Sequence, residues 1–403
     1  MNIEKITDNI LYAGVNDRTT ARFEAMWPLP YGISYNSYIV KGKSKCALID
    51  TVDIKECRSL TEHVSAAVPG GCLDFLVVNH TEPDHSGSIP VLAEIYPQMQ
   101  IICNKISAEQ IKGFYHIDES RLLVIKDSDA IDLGGLTLRF VTAPMVHWPE
   151  TMVTYCEEEQ ALFSGDAFGC YGALNGNIID DGIDAADMAA YFSEMRRYYA
   201  NIVAKYGKFV QAAMKKASGL AIKYVCSTHG PVWHSRIAEV LDVYDRMSRW
   251  QSDEGITLVF STMYGNTSEL VDRICTALSR RGLKNIRVHN AATAELSDMI
   301  TDCVCKDTVI VGSPTYSGDV FPPVDALVKA LEIREIKEKT VGVFGSYTWA
   351  NSALGKLTDA FTRMGCDPAA TLAMKQAYSS AMDADVEAFA GTLAEAINQR
   401  RNG

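Results

Sequence analysis

Four side chains able to grip a metal fall within six residues in the run Asn79-His80-Thr81-Glu82-Pro83-Asp84-His85-Ser86-Gly87. The run follows an apolar strand-like segment, 75–78, and the carboxyl ends of strands are where α/β proteins assemble their sites. Pro83 and Gly87 restrict and turn the backbone, so the loop is shaped. His80, Glu82 and Asp84 are spaced by two, which points them alike in an extended segment. The order of strand and then ligand returns three more times: His147 ends the run 138–146, Asp166 follows 161–164, and His229 follows 224–227. Taken singly, each of these is as readily a cap or a surface group. Spacing and strand context together point to a metal site with mixed imidazole and carboxylate ligands. His63, His116, His234 and His289 lie outside the pattern and are read as ordinary structural or surface histidines.

A second constellation follows the strand-like run 256–260. It reads Ser261-Thr262-Met263-Tyr264-Gly265-Asn266-Thr267 and leads into a helix. Hydroxyls and backbone N–H groups at a helix N-terminus bind anions. The loop holds no Lys and is not Gly-x-x-x-x-Gly-Lys, so it suits a single phosphate monoester better than a nucleoside triphosphate with Mg²⁺. On its own it is equally an ordinary capped helix. Two later loops add weight, Gly312-Ser313-Pro314-Thr315-Tyr316-Ser317-Gly318 and Gly345-Ser346-Tyr347-Thr348-Trp349-Ala350. Each sets small residues and an aromatic at the same sheet edge, where aromatic faces stack on a flat ring; for Trp349 a place in the core is the alternative.

The elements that must carry these residues change character along the chain. The first part reads as short strands over 36–40, 46–50, 75–78, 100–103, 136–142, 152–156, 161–164 and 224–227, with a few helices over 54–67, 185–203 and 237–247. A polar stretch, 248–255, reads as a linker. Strands then start at Ile256, Ile286, Thr308, Thr340 and Thr371, with helices over 267–281, 324–331, 354–364 and 384–398. That alternation predicts a doubly wound parallel sheet. The expected domains are 1–250 and 251–403, in keeping with 403 residues.

Composition bounds the function. Charged residues make up 22% and hydrophobic ones 47%, as in ordinary globular proteins. From Ile256 onward 15 basic residues face 17 acidic ones, so nearly all of the net charge of −12 lies in the first domain. An acidic chain without a basic patch is a poor nucleic-acid ligand. No apolar run is long enough to span a membrane, and Met1-Asn2-Ile3-Glu4-Lys5 lacks an apolar signal core, so a cytoplasmic address is expected. The 11 cysteines, Cys72 among them, are irregularly spaced and contain no Cys-x-x-Cys. That argues against a disulfide framework, a zinc ribbon or a fused rubredoxin module. Cys303 and Cys305 are read as structural.

The set His80-x-Glu82-x-Asp84-His85, then His147, Asp166 and His229, resembles the metal motif of the metallo-β-lactamase superfamily. Hydrolases of that superfamily carry a second His where Glu82 stands here. Three carboxylates for two metals favour iron, since hard anionic oxygen stabilises its ferric state. The pattern is similar to the flavodiiron proteins, which share Asp84-His85-Ser86-Gly87-Ser88, His147-Trp148-Pro149 and Phe163-Ser164-Gly165-Asp166-Ala167-Phe168-Gly169. The three later loops resemble flavodoxin over 256 to about 399, with Asn351-Ser352 in place of a Gly-rich stretch.

The resemblance implies an α/β two-domain chain: an N-terminal metallo-β-lactamase-like αββα sandwich and a C-terminal flavodoxin-like doubly wound sheet. It implies an oxo- or hydroxo-bridged pair of irons. His80, Glu82 and His147 would hold one and Asp84, His85 and His229 the other, with Asp166 between them. In some relatives the His at the position of His85 turns away and water replaces it. Glu150 stands where the family often has Asp, one shell out from the metals. FMN would be bound by Ser261, Thr262, Met263, Tyr264, Gly265, Asn266, Thr267, Ser313, Pro314, Thr315, Tyr316, Gly318, Ser346, Tyr347, Trp349 and Ala350. Tyr198 or Tyr199 would donate a hydrogen bond to substrate, with helix packing as the alternative for each. The implied activity is reduction of dioxygen to water or of nitric oxide to nitrous oxide. Electrons would come from a separate donor, rubredoxin first and a reduced deazaflavin second. The implied assembly is a head-to-tail homodimer or a dimer of dimers. A dizinc hydrolase with a flavodoxin appendage, and an electron carrier whose first domain only scaffolds a dimer, are the rival readings.

Overall fold

Short β-branched and aromatic runs with turn residues between them fold, in the first half, into two sheets. The computed structural model describes residues 4–68, 71 and 73–402; residues 1–3 and Cys72, used above, lie outside these. The chain divides into two compact units, Met1–Ser248 and Arg249–Gly403. In the first unit one sheet runs in the order Ile10–Tyr12, Tyr38–Lys41, Cys46–Ile49, Phe75–Val77, Gln100–Asn104, Leu122–Ile125. The other runs Ala130–Asp132, Thr137–Thr142, Met152–Cys156, Ala161–Gly165, Tyr224–Ser227. Both are mixed, and their central strands Cys46–Ile49 and Ala161–Gly165 are buried along their whole length, as strands covered on both faces are. With their helices they form the expected αββα sandwich.

Hydrogen bonds lock the two sheets together near their strand ends. The hydroxyl of Tyr38 donates to the Ser227 carbonyl (2.5 Å), and Asn36 Nδ2 donates to the carbonyls of Ser227 (2.9 Å) and Gly230 (2.8 Å). Asp50 accepts from both the backbone N–H (2.7 Å) and the side-chain amide (3.0 Å) of Asn79, whose oxygen accepts from Thr154 (2.7 Å). Burial pushes the Asp50 carboxyl up to about 6, against the pull of His85 and of these hydrogen bonds. Asn79, the residue before the first ligand, is thereby held from both sheets.

The second unit is a parallel sheet in the order Ile286–Asn290, Asp253–Phe260, Lys306–Tyr316, Thr340–Tyr347, Pro368–Lys375, with Asp319–Val320 paired antiparallel to the third of these in sequence. Numbered along the chain this is 2-1-3-4-5, the flavodoxin order, which places a ligand crevice at the carboxyl ends where the winding reverses. One core cluster includes Leu258, Ile274, Ile310, Phe344 and Leu393.

Several expected boundaries move. The supposed linker shrinks to four residues, because the preceding helix runs through Ser248 and the next strand begins at Asp253. The last strand starts at Pro368 and not Thr371. The helix expected over 185–203 is α-helical only to Tyr198 and continues as a π-turn, Tyr199–Val203. Helices at Lys105–Tyr115, Gly207–Ala217 and Leu296–Cys305 went unread. The first had a legible start: Asn104 caps it, accepting from the N–H groups of Ile106 and Ser107.

Gly312, expected to open a loop, lies inside the strand Lys306–Tyr316, and a Cβ there would collide with the Phe344 ring. Gly312→Ala is expected to destabilise the second unit by about 1–3 kcal/mol, read as a lower urea midpoint by flavin fluorescence. Adding Phe344→Leu should recover part of that loss.

Candidate functional site

Four loops at strand ends bring all seven expected ligands together. The loop after Phe75–Val77 supplies His80, Glu82, Asp84 and His85; the short helix Pro83–Ser86 turns the last two inward. His147 comes from the loop after Thr137–Thr142, Asp166 from the turn after Ala161–Gly165, and His229 from the turn after Tyr224–Ser227. Gly230 has φ +78, and a Cβ there would strike Cys170, so the turn beside His229 demands glycine. The ligand atoms form two groups, His80, Glu82, His147, Asp166 and Asp84, His85, His229, and within each group the atoms lie within 4.8 Å of one another.

Asp166 faces both groups. Its Oδ2 stands 2.9 Å from His147 Nε2 and 3.5 Å from His80 Nε2. Its Oδ1 stands 2.9 Å from His85 Nε2 and 3.8 Å from His229 Nε2. Glu82 Oε2 completes the first group at 3.2 Å from His80 and 3.1 Å from His147. Asp84 Oδ2 completes the second at 3.1 Å from His85 and 3.5 Å from His229. Metal bonds of about 2.0–2.2 Å put neighbouring ligands roughly 3 Å apart, the spacing seen here. Both oxygens of Asp84, both ring nitrogens of His85 and Nε2 of His229 are buried without a hydrogen bond. Buried polar atoms left so, and aimed at a common point, fit a cation. His85, which turns away in some relatives, here points inward.

The surroundings orient these ligands. His80 Nδ1 lies 2.8 Å from Glu150 Oε1, and His229 Nδ1 lies 2.8 Å from the Ser34 carbonyl. Donation to these acceptors leaves Nε2 of each ring with its lone pair toward the centre. Glu150 also accepts from the N–H (3.1 Å) and hydroxyl (2.7 Å) of Thr81. Burial would raise the Glu150 carboxyl, but the hydrogen bonds from His80 and Thr81 outweigh it and bring it down to about 2. Burial opposes charge on His147, yet hydrogen bonds to Asp166 and Glu82 push it up to about 9. Desolvation also opposes the charges on Asp166 and Asp84, and the facing histidines hold both carboxyls below their usual range.

Tyr198 packs its ring 5.6 Å from that of His229, and its hydroxyl has no partner. Tyr199 turns the other way, 5.0 Å from Tyr244, and so belongs to the core. A cleft of about 260 Å³ leads to Glu82 and Asp84 past Phe23, Glu24 and Tyr35. Glu24, which Trp27 anchors at 2.9 Å, has its carboxyl raised to about 7 by burial and then by the charge on Glu82. Glu24 was not foreseen, since it sits in an irregular turn between two-residue strands where no spacing rule applies. His63 and His116 stand outside the centre, and His289 pairs with Asp302 at 2.6 Å. His234, also read as outside any pattern, does approach Asp180 and Asp181. Asp180 there accepts from the N–H groups of His234, Ser235 and Arg236 and so serves as a loop clamp.

In the second unit a cleft of about 410 Å³ lies at the carboxyl edge of the sheet. Thr262, Met263, Tyr264, Asn266, Thr267, Pro314, Thr315, Tyr316, Ser346, Tyr347, Trp349 and Ala350 line it, as expected. Ser317, Thr348 and Gln376 line it too and were missed; Gln376 follows the last strand, so the strand-end rule pointed to it. Ser261, Gly265, Ser313 and Gly318 are not in its wall. Ser313 is engaged within the chain, donating to the Pro314 carbonyl and accepting from the Phe321 N–H. Gly265 and Gly318 shape turns at φ +95 and +76. Ser261 lies buried with an unpartnered hydroxyl at the loop's root. Tyr264 is 90% exposed and Trp349 87%, an unusual state for rings that a flat ligand would cover. The wall offers hydroxyls and helix N–H groups and no cation, which fits a flavin mononucleotide.

The Glu150–His80 contact sets a test of the metal site. Glu150→Ala is expected to lower iron affinity about 10–100-fold, measured by competition with a chelator, with the far-UV circular dichroism unchanged.

Comparison with known proteins agrees with this arrangement. The family models for ODP family beta lactamase and for flavodoxin match residues 33–230 and 258–389. An uncharacterized protein of Methanocaldococcus jannaschii is 31% identical over 364 residues, covering 90% of each chain. The anaerobic nitric oxide reductase flavorubredoxin of Pectobacterium carotovorum is 30% identical over 376 residues, covering 92% of this chain and 73% of that one. Among solved structures, rubredoxin oxygen:oxidoreductase from Desulfovibrio gigas shares the fold at a TM-score of 0.95, with 24% identity and all of both chains covered. A flavo di-iron protein variant from Thermotoga maritima superposes at a TM-score of 0.90, with 26% identity and 98% of each chain covered. Likeness over both units at once, and not over either alone, makes this chain a member of the flavodiiron protein family.

Proposed function

We propose that this chain is a cytoplasmic oxidoreductase reducing dioxygen to water, nitric oxide to nitrous oxide, or both, with electrons passed through FMN from an external donor such as rubredoxin or a reduced deazaflavin. The observation that carries this reading is the Asp166 carboxylate, one oxygen turned to each ligand group. A single-metal hydrolase has no use for such a bridge. Glu82, Asp84 and Asp166 supply the anionic oxygen that iron favours. Nitric oxide as a substrate is supported by the flavorubredoxin relative, which is itself named a nitric oxide reductase. Reduced thiols suit the cytoplasm: no disulfide joins any of the ten described cysteines. Among the described residues no helix is long and apolar enough to cross a membrane.

When bound, the paired irons and FMN supply the redox chemistry. The chain's own groups supply the rest. His80, Glu82 and His147 would hold one iron and Asp84, His85 and His229 the other, with Asp166 facing both groups. Tyr198, beside His229, presents a free hydroxyl to whatever binds between the groups. The N-terminus of the helix Asn266–Arg280 would receive the flavin phosphate, and Tyr264 and Trp349 would pack against the ring. We propose the head-to-tail dimer of the family as the working assembly; full turnover by a strictly monomeric preparation would remove that part.

Steady-state consumption of dioxygen and of nitric oxide, with reduced rubredoxin as donor, tests the reading. The iron-loaded protein is expected to consume at least one gas. Asp166→Ala is expected to bring consumption to background while its FMN is still reduced by the donor. Co-purified zinc with ester cleavage in the absence of any reductant would identify a hydrolase instead.

A further inference from the structure

A second cavity lies beside the metal centre, on the far face of the sheet that carries His147 and Asp166. It fills the space between the strands Thr137–Thr142, Met152–Cys156 and Ala161–Gly165 and the helix Gly207–Ala217. Its volume is about 40 Å³, above the roughly 10–15 Å³ that lodges one water. Its inner end is formed by Val146, Ala167 and Phe168, all buried. Val146 precedes the ligand His147, and Ala167 follows the ligand Asp166. Its outer rim is formed by Ala213, Ala217 and Leu220, which are partly exposed. The cavity therefore runs from partly exposed residues of the helix to the chain neighbours of two ligands.

Almost nothing polar faces this space. The hydroxyls in its wall are spent elsewhere: Ser164 donates to the Ala167 carbonyl (2.7 Å), Thr151 to the Trp148 carbonyl (3.0 Å) and Thr142 to Asp127 (2.9 Å). Tyr244 adds one more hydroxyl, whereas a buried water needs two to four partners. Apolar cavities of this kind stay dry and accept xenon or small hydrocarbons. Dioxygen and nitric oxide are uncharged, weakly hydrated diatomics, so carbon walls suit them as they suit xenon. Alanine at 213 and 217, one helical turn apart on one face, leaves the room open where a larger side chain would close it.

We propose that this cavity is a binding site for the uncharged diatomic substrate, holding dioxygen or nitric oxide next to the metal centre. The proposal rests on the function proposed above, and xenon separates the two. The iron- and FMN-loaded protein is titrated with xenon and followed by ¹²⁹Xe NMR, with xenon-pressurised crystals to place the site. Xenon is expected in the cavity of the unaltered protein and absent from Ala213→Leu and Ala217→Leu. The filled variants should need severalfold more gas for half-maximal rate, with kcat, iron content and FMN content unchanged. If the leucine variants fail to fold, Ala213→Val makes the same comparison with less added bulk. Xenon missing from the unaltered protein, ordered water in its place, or an unchanged KM in a variant that has lost xenon would overturn the proposal. Xenon binding without turnover of either gas would support the apolar site and remove the proposed function.

Discussion

One carboxylate shared by two groups of ligands sets the terms for the first unit. Asp166 meets the His147 side with Oδ2 and the His85 side with Oδ1. That requires ligands from strand ends in both sheets to converge on a residue one step beyond a fully buried strand. The cross-sheet hydrogen bonds of Asn36, Tyr38 and Asn79 are the means. They also explain why so much polarity is buried there. Asp50 holds the backbone entering His80, and Thr228 donates to Asp166 Oδ1 at 2.5 Å. Three carboxylates in one small dry space repel one another strongly unless positive charge stands between them. Against the cost of burial, the facing carboxylates raise the affinity of His80, His85 and His147 for protons. Metal cations would displace those protons, so binding of metal and order of the centre are linked.

The flavin cleft solves the opposite problem. Among the described residues no lysine or arginine lines it, so an anionic phosphate would be met by hydroxyls and by the N–H groups opening the helix Asn266–Arg280. Thr267 and Ser346, 2.9 Å apart at their hydroxyls, tie the phosphate loop to the fourth strand's loop. Shape supplies the remainder: Tyr264 and Trp349 stand out from the surface with little to cover them. The metal centre is thus organised by buried charge, and the flavin site by backbone dipoles and exposed rings.

These differences decide what the sequence disclosed. The convergence of the seven candidate ligands was legible because the turns that carry them follow short apolar strands and hold residue types seldom buried without a partner. The parallel sheet was legible from its alternating rhythm, and so were the loops that follow its strands. Ser313 and Thr315 both lie in the last residues of the strand Lys306–Tyr316, yet only Thr315 lines the cleft, a distinction that appears only once Phe321 is seen to donate to Ser313. Tyr198 and Tyr199 are adjacent, and only the π-turn that begins at Tyr199 settles which ring meets His229 and which meets Tyr244. Glu24 lies in the turn between two-residue strands that pair Arg22 with Pro28 and Phe23 with Trp27, too short for any periodicity to register. The Asn104 cap and Gln376 carried local signals and went unread, whereas the surroundings of Glu24 depend on contacts distant in sequence.

The centre is approached by two surfaces of contrasting chemistry. The cleft at Glu82 and Asp84 is lined by Arg22, Glu24, Asp53 and Lys55, charged groups that keep water and protons within reach. The cavity behind Val146 and Ala167 is lined by carbon. A reaction that consumes an uncharged gas together with protons needs both kinds of surface, and it benefits when they are separate. Water in the gas site would compete for space without adding a reactant, and a gas has no advantage over water among charged side chains. The strands Thr137–Thr142 and Ala161–Gly165 line the cavity and contribute nothing to the charged cleft. The charged cleft is built from turns around residues 22–25, 53–55 and 82–84, and the dry cavity from strands and the helix Gly207–Ala217, so different parts of the chain supply the two surfaces.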